Sequence, residues 1–311
     1  MRQSATIAVC ATAACMNYRH AFHAGNFADV VKHIVLTRIL IYLHEKPSAF
    51  RVIDTHAGSG RYDLTGEEAQ RSGEWRLGIA RLLAAEVEAA SAELIKPYLD
   101  IVRSHNGGPE LTVYPGSPLI ARALLRPQDR LTACELEAGA HRQLVASLRR
   151  DQQARVVKID GWTALPAYVP PQERRGVVLV DPPFEATNEF DRLAAGFAAA
   201  YGKWPTGIFM LWYPLKDARA AGRLGLRVAD ALVGAHRSQS PLSRGDLAER
   251  ILRIEFQTSS TIRTDGLTAS GLLIVNSPWT LKRELETIAP SVVAALGAEG
   301  QGRLRVERYN H

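Results

Sequence analysis

"VIDTHAGSGRY" (residues 52–62) is the stretch on which the fold reading turns. A short β-branched run ends on Asp54, and Gly58 and Gly60 follow almost at once. Glycine tolerates positive φ because it has no Cβ, so a G-x-G after a strand permits a tight turn whose backbone approaches a ligand closely. A dinucleotide fingerprint would set its third glycine at position 63. Asp63 stands there instead. Its carboxylate disfavours a pyrophosphate and leaves a cationic, phosphate-free ligand unpenalised.

Outward from this turn, short apolar runs alternate with longer Ala/Leu/Arg-rich helical stretches, the pattern of an α/β sheet with helices on both faces. The predicted strands are "FRVIDT" (50–55), "LTACE" (131–135), "ARVVKID" (154–160), "GVVLVD" (176–181), "GIFMLWYP" (207–214), "ILRIEFQT" (251–258) and "GLLIVNSP" (271–278). A seven-stranded, mostly parallel, Rossmann-like sheet results. Asp54, Glu135, Asp160 and Asp181 fall at or just beyond the carboxyl ends of four of these strands, where doubly wound sheets hold their ligands.

About 75 residues separate the first two strands, more than one crossover helix needs. The stretch 73–105 has helical composition, with Leu77, Ile79, Leu82 and Leu83 and then Leu94, Leu99, Ile101 and Val102, so a small helical insertion is expected. It either packs or contacts substrate. Ahead of the sheet, Asn26 can cap a helix in which Asp29, Lys32 and His33 share one face at i, i+3, i+4 spacing. That face is either solvated or packed over the carboxyl edge of the sheet. The first fifteen residues, "MRQSATIAVCATAAC", lack a helical period and carry only one Arg before a diluted apolar stretch, which suits an extension with Met16 as an alternative start better than a signal peptide. The plan is thus a disordered extension over 1–15, a cap segment and helix over 16–49, a main domain over 50–281 with its insertion over about 63–110, and a C-terminal helix and tail over 282–311.

With 311 residues, 46% of them apolar, the chain can bury a full core. No apolar run is long enough to cross a bilayer, and Cys10, Cys15 and Cys134 match neither a zinc site nor a disulfide framework, so a soluble cytoplasmic protein is expected. His20-x-x-His23 lacks a carboxylate or thiol nearby in sequence to complete a metal set, so no metal is expected. The net charge of +6 leaves room for a polyanionic partner.

Glu135 sits where a carboxylate accepts both ribose hydroxyls of a nucleoside, and Asp160 with Gly161 where one accepts an adenine amine. With Asp54 and the glycine turn they form the pattern of class I methyltransferases that use S-adenosylmethionine (SAM). "VDPPF" (180–184) then names the acceptor. An exocyclic amine is a poor nucleophile because its lone pair is delocalised into the ring. The Asp181 carboxylate and the Pro182 carbonyl can hold its two N–H groups, the prolines fix the backbone, and Phe184 offers a face for an extruded base.

The segments "NYRHAFHAGNFADVVKH" (17–33), "DTHAGSGRY", "YPGSPLIARALLR", "RRGVVLVDPPFE", "LWYP" and "GLTASGLLIVNSPW" together resemble the bacterial 23S ribosomal RNA adenine-N6 methyltransferases of the J type, from about residue 17 to about residue 280. The resemblance implies a class I fold with a helical insertion, SAM as donor and an adenine of 23S rRNA as target. By matching position it implies that His33, His56, Ser117, Glu135, Asp160 and Gly161 line the SAM site and that Asp181 is the catalytic acceptor. Phe184 stands where many amine methyltransferases carry Tyr. Tyr18, His20, Lys32, Arg244 and Arg263 are the expected RNA contacts, and a monomer is expected. The amine clamp alone would also suit rRNA guanine-N2 or DNA adenine-N6 transfer, and an inactive RNA-binding scaffold is a rival of another class.

Overall fold

The computed structural model describes residues 19–236, 243–261 and 266–309. Helix α1 (Phe27–His44) opens the described fold, and the Asn26 side chain accepts the Ala28 and Asp29 N–H groups at 2.9 and 3.0 Å, which satisfies two of the amides a helix start leaves free. It is buried nearly all round, Asp29, Lys32 and His33 included. The solvated-face alternative is therefore wrong: this face packs against the carboxyl edge of the sheet.

Strand β1 (Arg51–Asp54) leads through the glycine turn to β2 (Arg61–Asp63). Four helices follow, α2 (Glu67–Ser72), α3 (Glu74–Leu77), α4 (Ile79–Ala84) and α5 (Ala89–Ser104), and then β3 (Val113–Pro115). β2 and β3 pair antiparallel with Tyr62 opposite Tyr114, so a two-stranded ribbon closes the base of the helical stretch. Three-residue strands carry too little pattern to stand out in the sequence.

The remainder alternates: α6 (Ser117–Ala123), β4 (Arg130–Cys134), α7 (Ala138–Ser147), β5 (Ala154–Val157), α8 (Gly161–Ala167), β6 (Gly176–Val180), α9 (Glu189–Lys203) and β7 (Ile208–Pro214). It ends with α10 (Ala218–His236), α11 (Arg244–Arg250), β8 (Ile251–Gln257), β9 (Ala269–Val275), α12 (Leu281–Leu296) and β10 (Arg303–Arg308). The main sheet runs β10-β8-β9-β7-β6-β1-β4-β5, parallel from β7 to β5 and antiparallel where β9 meets β7 and β8 and where β10 meets β8.

All seven predicted strands are present, but the sheet has eight: β10 lies in the stretch read as helix and tail. Its sequence "RLRVER" alternates charged and apolar residues, which suits an edge strand with one wet face and hides it among polar tails. Within β6 the two-residue period is plain. Val177 and Leu179 join the apolar cluster that holds α1, while Val178 and Val180 join the one that holds α9 and α10. A strand covered on both faces reads as an unbroken apolar run. β1 and β6 are neighbours although the chain continues from β1 toward β4 on the other side, so Asp54 and Asp181 flank the switch point of the sheet.

Candidate active site

Asp54 is 1% exposed, its Oδ2 accepting the Ser117 hydroxyl at 2.6 Å. Burial, reinforced by Asp181 and opposed by Ser117, pushes its carboxyl up to about 7. The chain then turns through Gly58 and Gly60, at φ +62° and +72°, the left-handed region where a side chain is strained. Glu135 is tied to this turn: one oxygen accepts the Gly58 N–H at 2.8 Å, the other the Glu137 N–H at 2.7 Å. Asp63, by contrast, accepts the Thr65 N–H and hydroxyl at 2.8 and 2.6 Å at the end of β2.

Asp160 precedes α8, and Gly161 opens that helix where a Cβ would stand 2.4 Å from the Thr55 carbonyl oxygen and 2.5 Å from the His56 ring. Only glycine fits. The His56 ring meets Trp162 edge-on at 5.1 Å and its Nδ1 lies 2.8 Å from the Thr55 hydroxyl. His33 lies deeper, its Nδ1 2.7 Å from the Tyr114 hydroxyl, which in turn bonds Tyr98 at 2.9 Å. Burial pushes both imidazoles down to about 3, with Arg192 adding to the effect at His56, so both are neutral near pH 7.

That neutrality sets a pH dependence. Below about 6.5 the unfolded chain protonates both histidines while the folded one does not, so stability falls as pH drops from 6.5 toward 3, by up to about 1.4 kcal/mol per unit for each ring. Asp54 works the other way. Its raised folded pKa adds stability at low pH that fades as pH rises from about 4 through 7, offsetting one of the two rings. Urea unfolding midpoints should therefore fall between pH 6.5 and 4. A flat or rising series would mean that the two rings are solvated.

Asp181 follows β6 and meets the Lys32 ammonium, which also donates to Asp29 Oδ1 at 2.7 Å. The other Asp29 oxygen accepts the Gly25 N–H at 2.9 Å and faces His20 Nε2 at 3.0 Å. Burial works against both charges, yet Lys32 and His20 hold Asp29 well below the usual carboxylate range and the two carboxylates hold Lys32 above its ordinary value. The expectation that Lys32 contacts RNA phosphate is corrected here: its side chain is 5% exposed and lies between two acids. Asp29, which periodicity alone puts on a helix face, is the second of them. Tyr18 and Arg263 lie outside the described residues, and for Arg244 the backbone alone is described, at the start of α11. His23 faces Glu74 at 3.0 Å, so the rings of His20-x-x-His23 serve different carboxylates.

Pro182 is buried, and Phe184 adopts φ +52°, costly for a residue with a side chain by roughly 1–3 kcal/mol. Buried Glu189 holds it there, accepting the Phe184 N–H at 3.1 Å while its other oxygen takes Arg192 at 3.2 Å. The Phe184 ring lies 4.9 Å from Phe190 and 5.7 Å from Trp212, both edge-on. Sequence reasoning missed Glu189 and Trp212, and "LWYP" (211–214), quoted for its resemblance, was the only signal for the second.

The glycine approach, an oriented Glu135 carboxylate, Asp160 beyond it and a neutral His56 form a donor and acceptor set for a nucleoside with a cationic tail. Asp181 and Phe184 stand next to it, across the switch point.

A family model described as "Ribosomal RNA large subunit methyltransferase D, RlmJ" matches residues 47–309. The ribosomal RNA large subunit methyltransferase J of Escherichia coli K12 is 38% identical over 296 residues, which cover 94% of this chain and 98% of that protein. Its namesake from Haemophilus influenzae is 36% identical over 295 residues, with 94% and 98% covered. The crystal structure of a Legionella pneumophila protein is similar at TM-score 0.79 and 30% identity, covering 92% of this chain and 98% of that one.

Proposed function

Because the chain belongs to the ribosomal RNA large subunit methyltransferase family whose model spans residues 47–309, we propose that it transfers a methyl group from SAM to the N6 amine of an adenine in 23S ribosomal RNA. The observation that carries the reading is the Asp181-Pro182-Pro183-Phe184 loop, set against Lys32 at the switch point beside the glycine turn.

SAM supplies a methyl group on a sulfonium, ready for attack by a nitrogen lone pair. Glu135 is pinned by two backbone N–H groups and would receive the ribose hydroxyls, while Asp160 would receive the adenine amine of the cofactor. Close approach at Gly161 and the His56–Trp162 contact shape that end of the pocket. Asp181 Oδ2 takes Lys32, which leaves Oδ1 for one N–H of the target amine, with the Pro182 carbonyl for the other. Held by both acceptors, the target nitrogen would pyramidalise and present its lone pair to the methyl carbon that SAM supplies, and the proton displaced from the amine would pass by way of the Asp181 carboxylate to solvent. Phe184, braced by Glu189, offers its face to the extruded base.

Tritiated-methyl transfer from SAM to deproteinised 23S rRNA, followed by nucleoside analysis, tests this reading: label in N6-methyladenosine supports it, whereas label in a guanine derivative, or none, overturns it. Replacing Glu135 with alanine should weaken SAM binding by roughly 1.5–3 kcal/mol, since a charged acceptor is lost. Unchanged affinity by calorimetry would return Glu135 to the role of a turn anchor. We further propose a metal-independent monomer in the cytoplasm; no helix among the described residues is long and apolar enough to cross a membrane.

A further inference from the structure

With Lys32 buried between acids, the basic excess that would meet an RNA backbone must sit elsewhere. The amino edge of the sheet, opposite the candidate active site, holds a concentration of it. β5, β4, β1 and β6 begin side by side, with Arg51 opposite both Arg130 and Gly176 and Leu131 opposite Ala154. Around these starts stand Arg122, Arg126, Arg130, Arg149, Arg150, Arg174 and Arg175. Asp151 pairs with Arg122, Asp129 with Arg126 and Glu173 with Arg51. Among the described residues, Arg130, Arg149, Arg150, Arg174 and Arg175 have no carboxylate within ion-pair distance. Arg122, Arg130, Arg149 and Arg150 line a cleft of about 490 Å³ with Asp151 as the only acid.

A second observation is conformational. Among the described residues four non-glycine positions have positive φ, and two of them are arginines of this edge, Arg150 at +64° and Arg174 at +53°. Arg150 lies two residues beyond Leu148, the C-cap of α7, at a positive φ where glycine is the relaxed choice. Among the described residues neither guanidinium is tied to a carboxylate, so no paired acid offsets the crowding of like charge at this edge. That crowding is relieved by an external polyanion that places phosphates against several guanidiniums at once.

We propose that this arginine-lined edge is a second RNA-docking surface, taking the phosphodiester backbone of a segment of the substrate RNA away from the target adenine. The proposal rests on the rRNA methyltransferase reading. β-strands of four to five residues separate this edge from Asp181 by on the order of 15 Å, so one folded RNA can reach both. Arg150 and Arg174 lie about three strand spacings apart, roughly 15 Å along the edge.

The test uses the full chain and the double variant Arg150→Gly, Arg174→Gly, which relaxes the backbone as it removes two cations. Filter binding to deproteinised 23S rRNA across a salt series should show affinity about tenfold weaker at 0.15 M salt and a log–log salt slope shallower by roughly 1.4–1.8, because two phosphates no longer meet a guanidinium. SAM affinity and the rate of transfer at saturating RNA should not change, and the melting temperature should hold or rise. An unchanged affinity and slope overturns the docking surface while leaving the methyltransferase reading intact if transfer to 23S rRNA proceeds. If the parent protein binds this RNA no more tightly than the double variant does, the surface is likewise refuted, whatever the transfer assay gives. Loss of transfer at saturating RNA also overturns it, because the arginines would then act on the chemistry.

Discussion

Replacing Asp181 with alanine should lower methyl transfer by at least about a hundredfold, the low end of what a positioned catalytic group supplies, while SAM affinity stays within a few-fold. The split follows from geometry. Glu135, Asp160 and the glycine turn sit at the ends of β4, β5 and β1, whereas Asp181 follows β6 across the switch point, where it meets Lys32. Removing its carboxylate takes away the acceptor proposed for one amine N–H and leaves the Lys32 ammonium with Asp29 alone. Single-turnover transfer with SAM and 23S rRNA both saturating, calorimetry for SAM and a thermal melt separate these effects. Residual transfer above about a hundredth would remove Asp181 from the chemistry.

The asparagine variant divides the role further. It keeps the shape and one acceptor oxygen but loses the charge that faces Lys32. If Asp181→Asn is as inactive as Asp181→Ala, the charged acceptor is what matters. If it recovers most of the activity, hydrogen-bond placement alone suffices.

The central sheet was legible because its inner strands are buried on both faces and announce themselves as apolar runs, as Val177 to Val180 do. β10, whose charged residues alternate with Leu304 and Val306, was not. Within the site, residues that end strands or open turns could be located from pattern: Asp54, Gly58, Gly60, Glu135, Asp160, Gly161 and Asp181 all cluster at one edge of the sheet. What stayed hidden were contacts made across the fold. Lys32 and Asp181 are 149 residues apart, and the five-residue step from Phe184 to Glu189 looks like any helix start. Periodicity shows which residues share a face; it does not show what that face meets. Lys32 therefore read as an exposed cation when it is the buried counter-ion of Asp181 and Asp29.

The strongest consequence of that burial is the effect of Lys32→Met on stability. Methionine nearly fills the space of the lysine stem but takes the ammonium away from both acids, leaving Asp29 with His20 and the Gly25 N–H and Asp181 with its charge unpaired. Breaking a buried pair in this way costs about 3–5 kcal/mol, since the acids remain desolvated. A fall in melting temperature on the order of 10 °C at pH 7 is expected. The pH window tells this apart from simple repacking. The Lys32 folded pKa is raised, so its stabilisation is full below the unfolded value near 10.4 and fades as pH rises beyond it; that of Asp29 is lowered, so its share is present above about 4 and fades as pH falls. The gap between parent and variant should therefore be widest between pH 5 and 10 and narrow at both ends. Transfer should also fall, because Lys32 positions the Asp181 carboxylate, but the salt slope of RNA binding should stay where it was. A phosphate contact would give the opposite pair of results, with an unchanged melt and a slope shallower by roughly 0.7–0.9. That outcome would place Lys32 at the RNA surface rather than between Asp29 and Asp181.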